Sequence, residues 1–209
     1  MYRYLTLIIL VIIFIFACDD RSPNEPDYTY SEIFNFDFSD QDIWQLIPDF
    51  SPAFGDTAWV LIDDDQLKMG ALYGWDVPRA TALYTLPDSL SLLTVGKNML
   101  LELTIINTNV SEVGSCNLKL NFQNAFHDLS FSTYDLFDYS NFTISLNYDY
   151  EHSLLEILVN GVGGNSLFFE EPGILQDISL DCWTSSPDGS GSVFMNISNI
   201  KLSTYILEE

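Results

Sequence analysis

Ser115-Cys116-Asn117-Leu118-Lys119-Leu120-Asn121-Phe122-Gln123 decides the fold class. Cys116, Leu118, Leu120 and Phe122 fall on one parity, and Asn117, Lys119, Asn121 and Gln123 on the other. Strict alternation has a period of two, which predicts an extended strand with one apolar and one polar face. The pattern returns in Asn141–Tyr150, where Phe142, Ile144, Leu146 and Tyr148 oppose Thr143, Ser145, Asn147 and Asp149. It returns again in Asp177–Ser185, where Ile178, Leu180 and Cys182 oppose Ser179, Asp181, Trp183 and Ser185. Antiparallel sheets with one solvated face generate this alternation.

Working outward, short runs of the same kind fill the chain from Ser31 on, separated by Gly, Pro, Asn, Asp and Ser. Strands are expected at Ile33–Phe38, Thr57–Ile62, Gln66–Tyr73, Ala80–Leu86, Asn98–Asn107, Ala125–Ser132, Leu154–Asn160, Ser166–Glu170 and Ser192–Tyr205, beside the three already quoted. Thr57–Ile62 and Gln66–Tyr73 form a hairpin about Asp63-Asp64-Asp65, and Gly161-Val162-Gly163-Gly164 is a hairpin turn. No helical pattern exceeds two turns, and no repeat marks a solenoid or propeller. The expected fold is all-β, a two-sheet antiparallel β-sandwich or barrel spanning residues 31–209. Cys116 and Cys182 both lie on apolar parities, so a disulfide between them would be in the core. Two buried free thiols are the alternative.

Composition narrows the function. The chain has 209 residues, and 7 Lys+Arg face 30 Asp+Glu, a formal net charge of −23. That charge excludes a nucleic-acid binder, because counterion release needs basic residues against phosphate. It also argues against a basic patch holding anionic lipid. With 47% hydrophobic and 14% aromatic residues the chain is too apolar for an acidic disordered protein.

The first 17 residues stand apart. Arg3 precedes an apolar run, Leu5 to Phe16, broken only by Thr6 and ended by Ala17 and Cys18. The run is shorter than the ~20 residues of a spanning helix and has the size of a signal-peptide core. Ile15-Phe16-Ala17-Cys18 resembles the bacterial lipobox, from which Phe16 departs. The resemblance implies a signal peptide over 1–17, a lipid thioether on Cys18 and a membrane as partner. An ordinary secretory signal and an uncleaved anchor from Tyr4 to Cys18 are the alternatives. Each buried methylene contributes ~0.8 kcal/mol, so two or three acyl chains anchor a protein stably. Residues 18–30, with Pro23, Asn24 and Pro26 among charges, read as a tether. Asp19 and Asp20 resemble an inner-membrane retention signal in one group of lipoproteins and a surface-export signal in another. The acidity favours the outer membrane or cell surface of a bacterial envelope.

A family resemblance emerges from Phe36-Asp37-Phe38-Ser39-Asp40 with Trp44, from Trp59-x-x-x-Asp63 with Leu67-x-Met69, from Leu155-x-Ile157-x-Val159-Asn160-Gly161, and from Val193 to Ser203. In this order and spacing they resemble the strands of concanavalin A-like lectin/glucanase domains, over roughly residues 33–205. The resemblance implies a jelly roll and a carbohydrate ligand. A galactose-binding-like jelly roll would share the architecture and differ in strand order.

Catalytic members of that group place Glu, Asp and Glu on one strand face, close enough for a retaining glycosidase. Glu102 has Thr104 where the Asp belongs, and Glu151, Glu156 and Glu170-Glu171 also fail the spacing. His127 and His152 are the only histidines, and no Gly-x-Ser-x-Gly elbow, His-Glu-x-x-His or Cys-x-x-Cys is present. Asp37, Asp40 and Asp42 offer carboxylates for Ca2+, as does the Asp63–Asp65 triple, but neither has a recognised loop spacing. Solvated, turn-forming aspartate is the plainer reading. Asn-x-Ser/Thr sequons at Asn109, Asn141 and Asn196 are read as accidents beside a lipobox.

A sugar platform is the remaining candidate. Trp183 lies on the polar parity beside Asp181, and Asn121, Gln123 and Asn147 are expected on the same wet face, with Tyr73 and Trp75 adding rings from a loop. The expected function is a non-catalytic, lipid-anchored envelope protein that binds carbohydrate. A structural or protein-binding lipoprotein is the alternative, and a glycoside hydrolase with a dispersed active site is a third reading.

Overall fold

The computed structural model describes residues 28–39, 43–51, 55–73, 76–110, 114–124, 126–131, 141–168, 173–185 and 191–207. Thirteen strands are described: β1 (Tyr28–Phe36), β2 (Gln45–Asp49), β3 (Thr57–Asp63), β4 (Gln66–Tyr73), β5 (Arg79–Thr85), β6 (Asn98–Val110), β7 (Gly114–Phe122), β8 (Phe126–Phe131), β9 (Phe142–Asp149), β10 (Leu154–Val159), β11 (Val162–Phe168), β12 (Leu175–Thr184) and β13 (Gly191–Leu207). One helical turn, Asp88–Ser91, follows β5. Tyr30–Ile206 is one compact unit.

The strands make two antiparallel sheets. The larger runs β11-β10-β9-β6-β13-β4-β3, with β1 added on β13, and the smaller runs β2-β5-β12-β7-β8. The alternation in the sequence is the alternation in space. Leu67, Met69, Leu101, Leu103, Ile144 and Leu146 line the inner face of the larger sheet, and Ala82, Leu118, Leu120, Ile178 and Leu180 that of the smaller. Together they form one core. Each large aliphatic side chain buried there contributes about 1.5–3 kcal/mol.

β13 shows how a strand of 17 residues keeps one face inward. Val193, Met195 and Ile197 are buried, and then Ile200 and Leu202. The parity changes because the pairing with β6 shifts between Ile197 and Asn199, leaving Ser198 unmatched. A bulge of this kind turns the following residues over.

The hairpin turns follow their chemistry. Asp64 and Asp65 have φ of 52° and 54° between the paired Asp63 and Gln66, the left-handed geometry of a two-residue hairpin turn. Asn160 and Gly161, at φ 50° and 76°, join Val159 to Val162 in the same way. The four-residue turn expected at 161–164 is therefore corrected. Val162, Gly163 and Gly164 already belong to β11. β1 and β2 differ from expectation as well. β1 starts at Tyr28, three residues into the expected tether. β2 was not expected, because Pro48 and three exposed neighbours give it no alternation. Pro48 is tolerated because β2 is an edge strand. Beside it, Trp44 packs among Phe36, Phe38 and Tyr84, with ring centroids 5.5–5.9 Å apart.

Candidate functional site

The outer face of the smaller sheet carries the candidate site. Strand register arranges its side chains in rows across the sheet. Asp49, Arg79, Trp183 and Ser115 form the first row. Ile47, Thr81, Asp181 and Asn117 form the second, and Gln45, Leu83, Ser179 and Lys119 the third. Thr85, Asp177 and Asn121 form the fourth. Strand rise puts about 20 Å between the first row and the fourth.

The middle of this face is buried. Asp181, which points away from the core, is 2% exposed, and Ser115, Asn117 and Ser179 are also buried. A carboxylate taken that far from water needs partners. Asp181 has a hydrogen bond from the Thr81 hydroxyl to Oδ1 at 2.6 Å and an ion pair from Lys119 Nζ to Oδ2 at 2.5 Å. Lys119 comes from the third row and reaches diagonally, keeping its side chain 26% exposed. The Ser115 hydroxyl donates to Asn117 Oδ1 at 2.7 Å, and the Thr85 hydroxyl to Asp177 Oδ1 at 3.1 Å.

Beyond the fourth row the face opens into a recess of about 380 Å³, within the range of small-molecule pockets. Thr85, Asp88, Gln123 and Gln176 line it with Leu86 and Ile174. Its walls are fixed by ladder-like bonds past the strand ends. Leu86 N donates to Gln176 O and Gln123 N to Ile174 O, each at 2.8 Å.

The structure brings together some of the residues expected from sequence and separates others. Trp183 and Asp181 do share a face with Asn121, and Trp183 is half-buried. Gln123 lies in the recess at the end opposite Trp183. Asn147 does not belong to this face. It sits on β9 in the larger sheet, where its Oδ1 accepts from the Tyr205 hydroxyl at 2.6 Å. Parity assigned its side correctly but could not assign its sheet. Tyr73 ends β4, also in the larger sheet, and its side chain lies outside the described residues, as does Trp75. Asp181 is also not the free acceptor expected. Its two oxygens are engaged by Thr81 and Lys119, so it positions other groups. Lys119, Arg79, Thr81, Thr85 and Asp177 were missed. One signal was available for Lys119: it is among only 7 basic residues, and it stands mid-strand on the polar parity.

Of the calcium candidates, Asp37 Oδ1 accepts from Ser39 N at 3.1 Å and from the Ser39 hydroxyl at 2.6 Å. Those bonds hold its carboxyl below the usual range and make a local turn. Asp40 and Asp42 lie outside the described residues. Asp63 and Asp64 share the Lys68 ammonium, at 2.7 and 3.1 Å. Among the described residues no group of three or more His, Cys, Asp or Glu is placed to hold a metal ion. Cys116 and Cys182 are both buried and face one another across β7 and β12, their Sγ atoms 3.2 Å apart. Cys18 and residues 1–17 lie outside the described residues. Among the described residues no helix is long and apolar enough to cross a membrane.

No family model matches the sequence, and no curated protein matches it. Solved structures do. The CBM2 module of the evolved Dit of Lactobacillus casei BL23 phage J-1 superposes with a TM-score of 0.55 at 10% identity, covering 88% of this chain and 99% of the module. The GlcNAcα1-4Gal-releasing endo-β-galactosidase of Clostridium perfringens gives 0.54 at 10% identity, over 88% of this chain and 64% of the enzyme. A sialidase gives 0.53 at 13% identity, over 83% of this chain but 18% of its own. The fold is a concanavalin A-like jelly roll. At these identities the likeness is one of fold, and what the face binds has to be argued from its own residues.

Proposed function

We propose that the protein is a non-catalytic, lipid-anchored envelope lipoprotein that binds carbohydrate on the outer face of its smaller sheet. The observation that carries the reading is the arrangement of this face. Trp183 stands at one end and a recess of mixed polar and apolar lining at the other, and between them Asp181 holds Thr81 and Lys119 in place. Saccharides pair an aromatic ring against their apolar face with amides and hydroxyls against their own hydroxyls, and the face offers both. The fold likeness to proteins named as an endo-β-galactosidase and a sialidase supports the ligand class.

The non-catalytic part rests on spacing. Asp177 and Asp181, four residues apart on β12, are separated by about 13 Å of strand rise. Glycosidase pairs stand ~5–9.5 Å apart. The anchoring part rests on the lipobox-like run ending at Cys18, and the acidity favours the outer membrane or cell surface.

Binding is tested by probing a glycan array with the full chain and with Trp183→Ala. A bound glycan set whose signal falls at least tenfold in the variant supports the reading. Equal binding by both proteins, or no bound glycan, overturns it. Anchoring is tested by detergent-phase partitioning in a bacterial host. The chain should enter the detergent phase, and Cys18→Ser should abolish the acylated mature form. A mature N-terminus other than residue 18 overturns that part.

A further inference from the structure

We infer that Cys116 and Cys182 are joined as the chain folds, and that this bond clamps β7 to β12 directly behind the buried polar side chains of the outer face. The two residues are register partners on adjacent antiparallel strands. Opposed residues in such a pair have Cα atoms about 4.5–5.5 Å apart, inside the range that a disulfide spans. They share a face, and their Sγ atoms are 3.2 Å apart in the core. Closing to a bond of about 2.05 Å takes side-chain rotation and no strand movement.

The surroundings set when the bond forms. Burial pushes the Cys182 thiol well up, reinforced by its hydrogen bond and proximity to Cys116 and by the Asp181 charge. Only a thiolate attacks a disulfide, so the folded pair is inert whichever state it is in. The step therefore belongs to folding, before the two sheets close over the sulfurs. One thiol loses its proton and attacks the disulfide of an oxidised dithiol or oxidised glutathione, giving a mixed disulfide and releasing one donor thiol. The second thiol loses its proton and displaces the remaining donor sulfur. Two electrons pass to the donor, which leaves as two thiols. A chain exported through an oxidising compartment meets such donors, and to that extent the inference rests on the export reading.

The bond has a consequence for the site. Cys116 is flanked by Ser115 and Asn117, and Cys182 by Asp181 and Trp183. These four neighbours project from the opposite side of the same two strands, so one covalent link in the core holds the strands that present them. It also closes a loop of 66 residues in sequence separation, which restricts the unfolded chain.

The experiment uses the full chain with Cys18→Ser, so that no third thiol competes. The chain is unfolded, fully reduced, and refolded with a reduced/oxidised glutathione couple. Free thiols are then alkylated and the protein digested without reductant. The expected result is one linked peptide pair containing Cys116 and Cys182, and a melting temperature raised by about 5–15 °C over protein refolded with reductant alone. The already folded, reduced protein given the same couple should keep both thiols. Cys116→Val with Cys182→Val separates loss of the bond from loss of packing, and should melt with the reduced form. Alkyl groups on both cysteines after oxidative refolding overturn the inference. No glycan enters this experiment, so it can fail while the binding proposal stands, or the reverse.

Discussion

The two outer faces of the sandwich look alike in sequence and differ in the molecule. Both are built by strands that alternate apolar and polar residues, and both carry a lysine paired with aspartate. On the larger sheet Lys68 meets Asp63 and Asp64, whose side chains are 55% and 80% exposed, at a hairpin tip. On the smaller sheet Lys119 meets Asp181, whose side chain is 3% exposed, at the middle of the face. Ser115, Asn117, Ser179 and Asp181 are all buried while pointing away from the core. The difference shows that period-2 alternation tells which residues turn from the core, but not whether water reaches them. Where it does not, polar side chains bind one another and fix a shape. That is the property a recognition surface needs.

The comparison breaks most visibly on the two lysines. Lys119→Ala leaves the Asp181 carboxylate sealed with only Thr81 as partner. Removing one member of a buried pair is costly because the other charge stays behind. Lys119 is partly exposed and water can fill some of the gap, so about 2–4 kcal/mol of unfolding free energy should be lost, read by urea denaturation. Lys68→Ala, at the solvated pair, should cost about 0–1 kcal/mol. Equal losses in the two variants would mean that the two faces are electrostatically alike. Asp181→Asn, which keeps an acceptor for Thr81, should lie between them.

Much of this was legible in the residues. Twelve of the thirteen described strands have counterparts in the hydrophobic alternation, because a buried face imposes period 2 wherever the other side is polar. β2 was not legible because its pairing with β5 fixes an edge strand with almost no buried side chain. The parity change at Ser198 is written in the sequence as apolar residues at 193, 195 and 197 followed by 200 and 202. The candidate site was legible in part. Trp183, Asp181 and Asn121 share a face because they share or neighbour one strand pair. Asn147 was misplaced because parity within a strand carries no information about which sheet the strand joins. The role of Asp181 was illegible because it depends on Lys119 arriving from an adjacent strand 62 positions away.

A second test sharpens the contrast in packing. On the larger sheet Trp59 lies across Gly70, its register partner. A Cβ there would meet the Trp59 ring at 2.4 Å and the Val193 carbonyl oxygen at 2.6 Å. The ring can turn, but the carbonyl belongs to a ladder. Gly70→Ala should therefore cost about 1–3 kcal/mol by thermal or urea unfolding and shift the emission of Trp59. It should leave the smaller sheet's face untouched, so glycan binding, where found, should persist in the variant at permissive temperature. A variant with wild-type stability would mean that the outer face of the larger sheet is loose enough to absorb a methyl group.

The smallest effect lies at the rim of the larger sheet, where His152 follows β9. Its Nδ1 is 2.7 Å from Asp149 Oδ2, and its amide donates to Asp149 Oδ1 at 3.1 Å. The hydrogen bond and charge of Asp149 raise the His152 pKa. Burial pushes the Asp149 carboxyl up, but the bonds and charge from His152 outweigh it and the net shift is down. A raised histidine contributes stability below its unfolded value, which is lost as pH rises through the folded one. A lowered carboxylate contributes above its unfolded value, and the contribution is lost as pH falls through the folded one. The pair is thus fully formed between about pH 4 and pH 6.5. His152 is exposed, so the readout is its titration by NMR rather than a melt. Its midpoint should lie above the ordinary histidine value and return toward it in Asp149→Asn. An unchanged midpoint in that variant would show that water already screens the contact, which would place this hairpin even further from the sealed chemistry around Asp181.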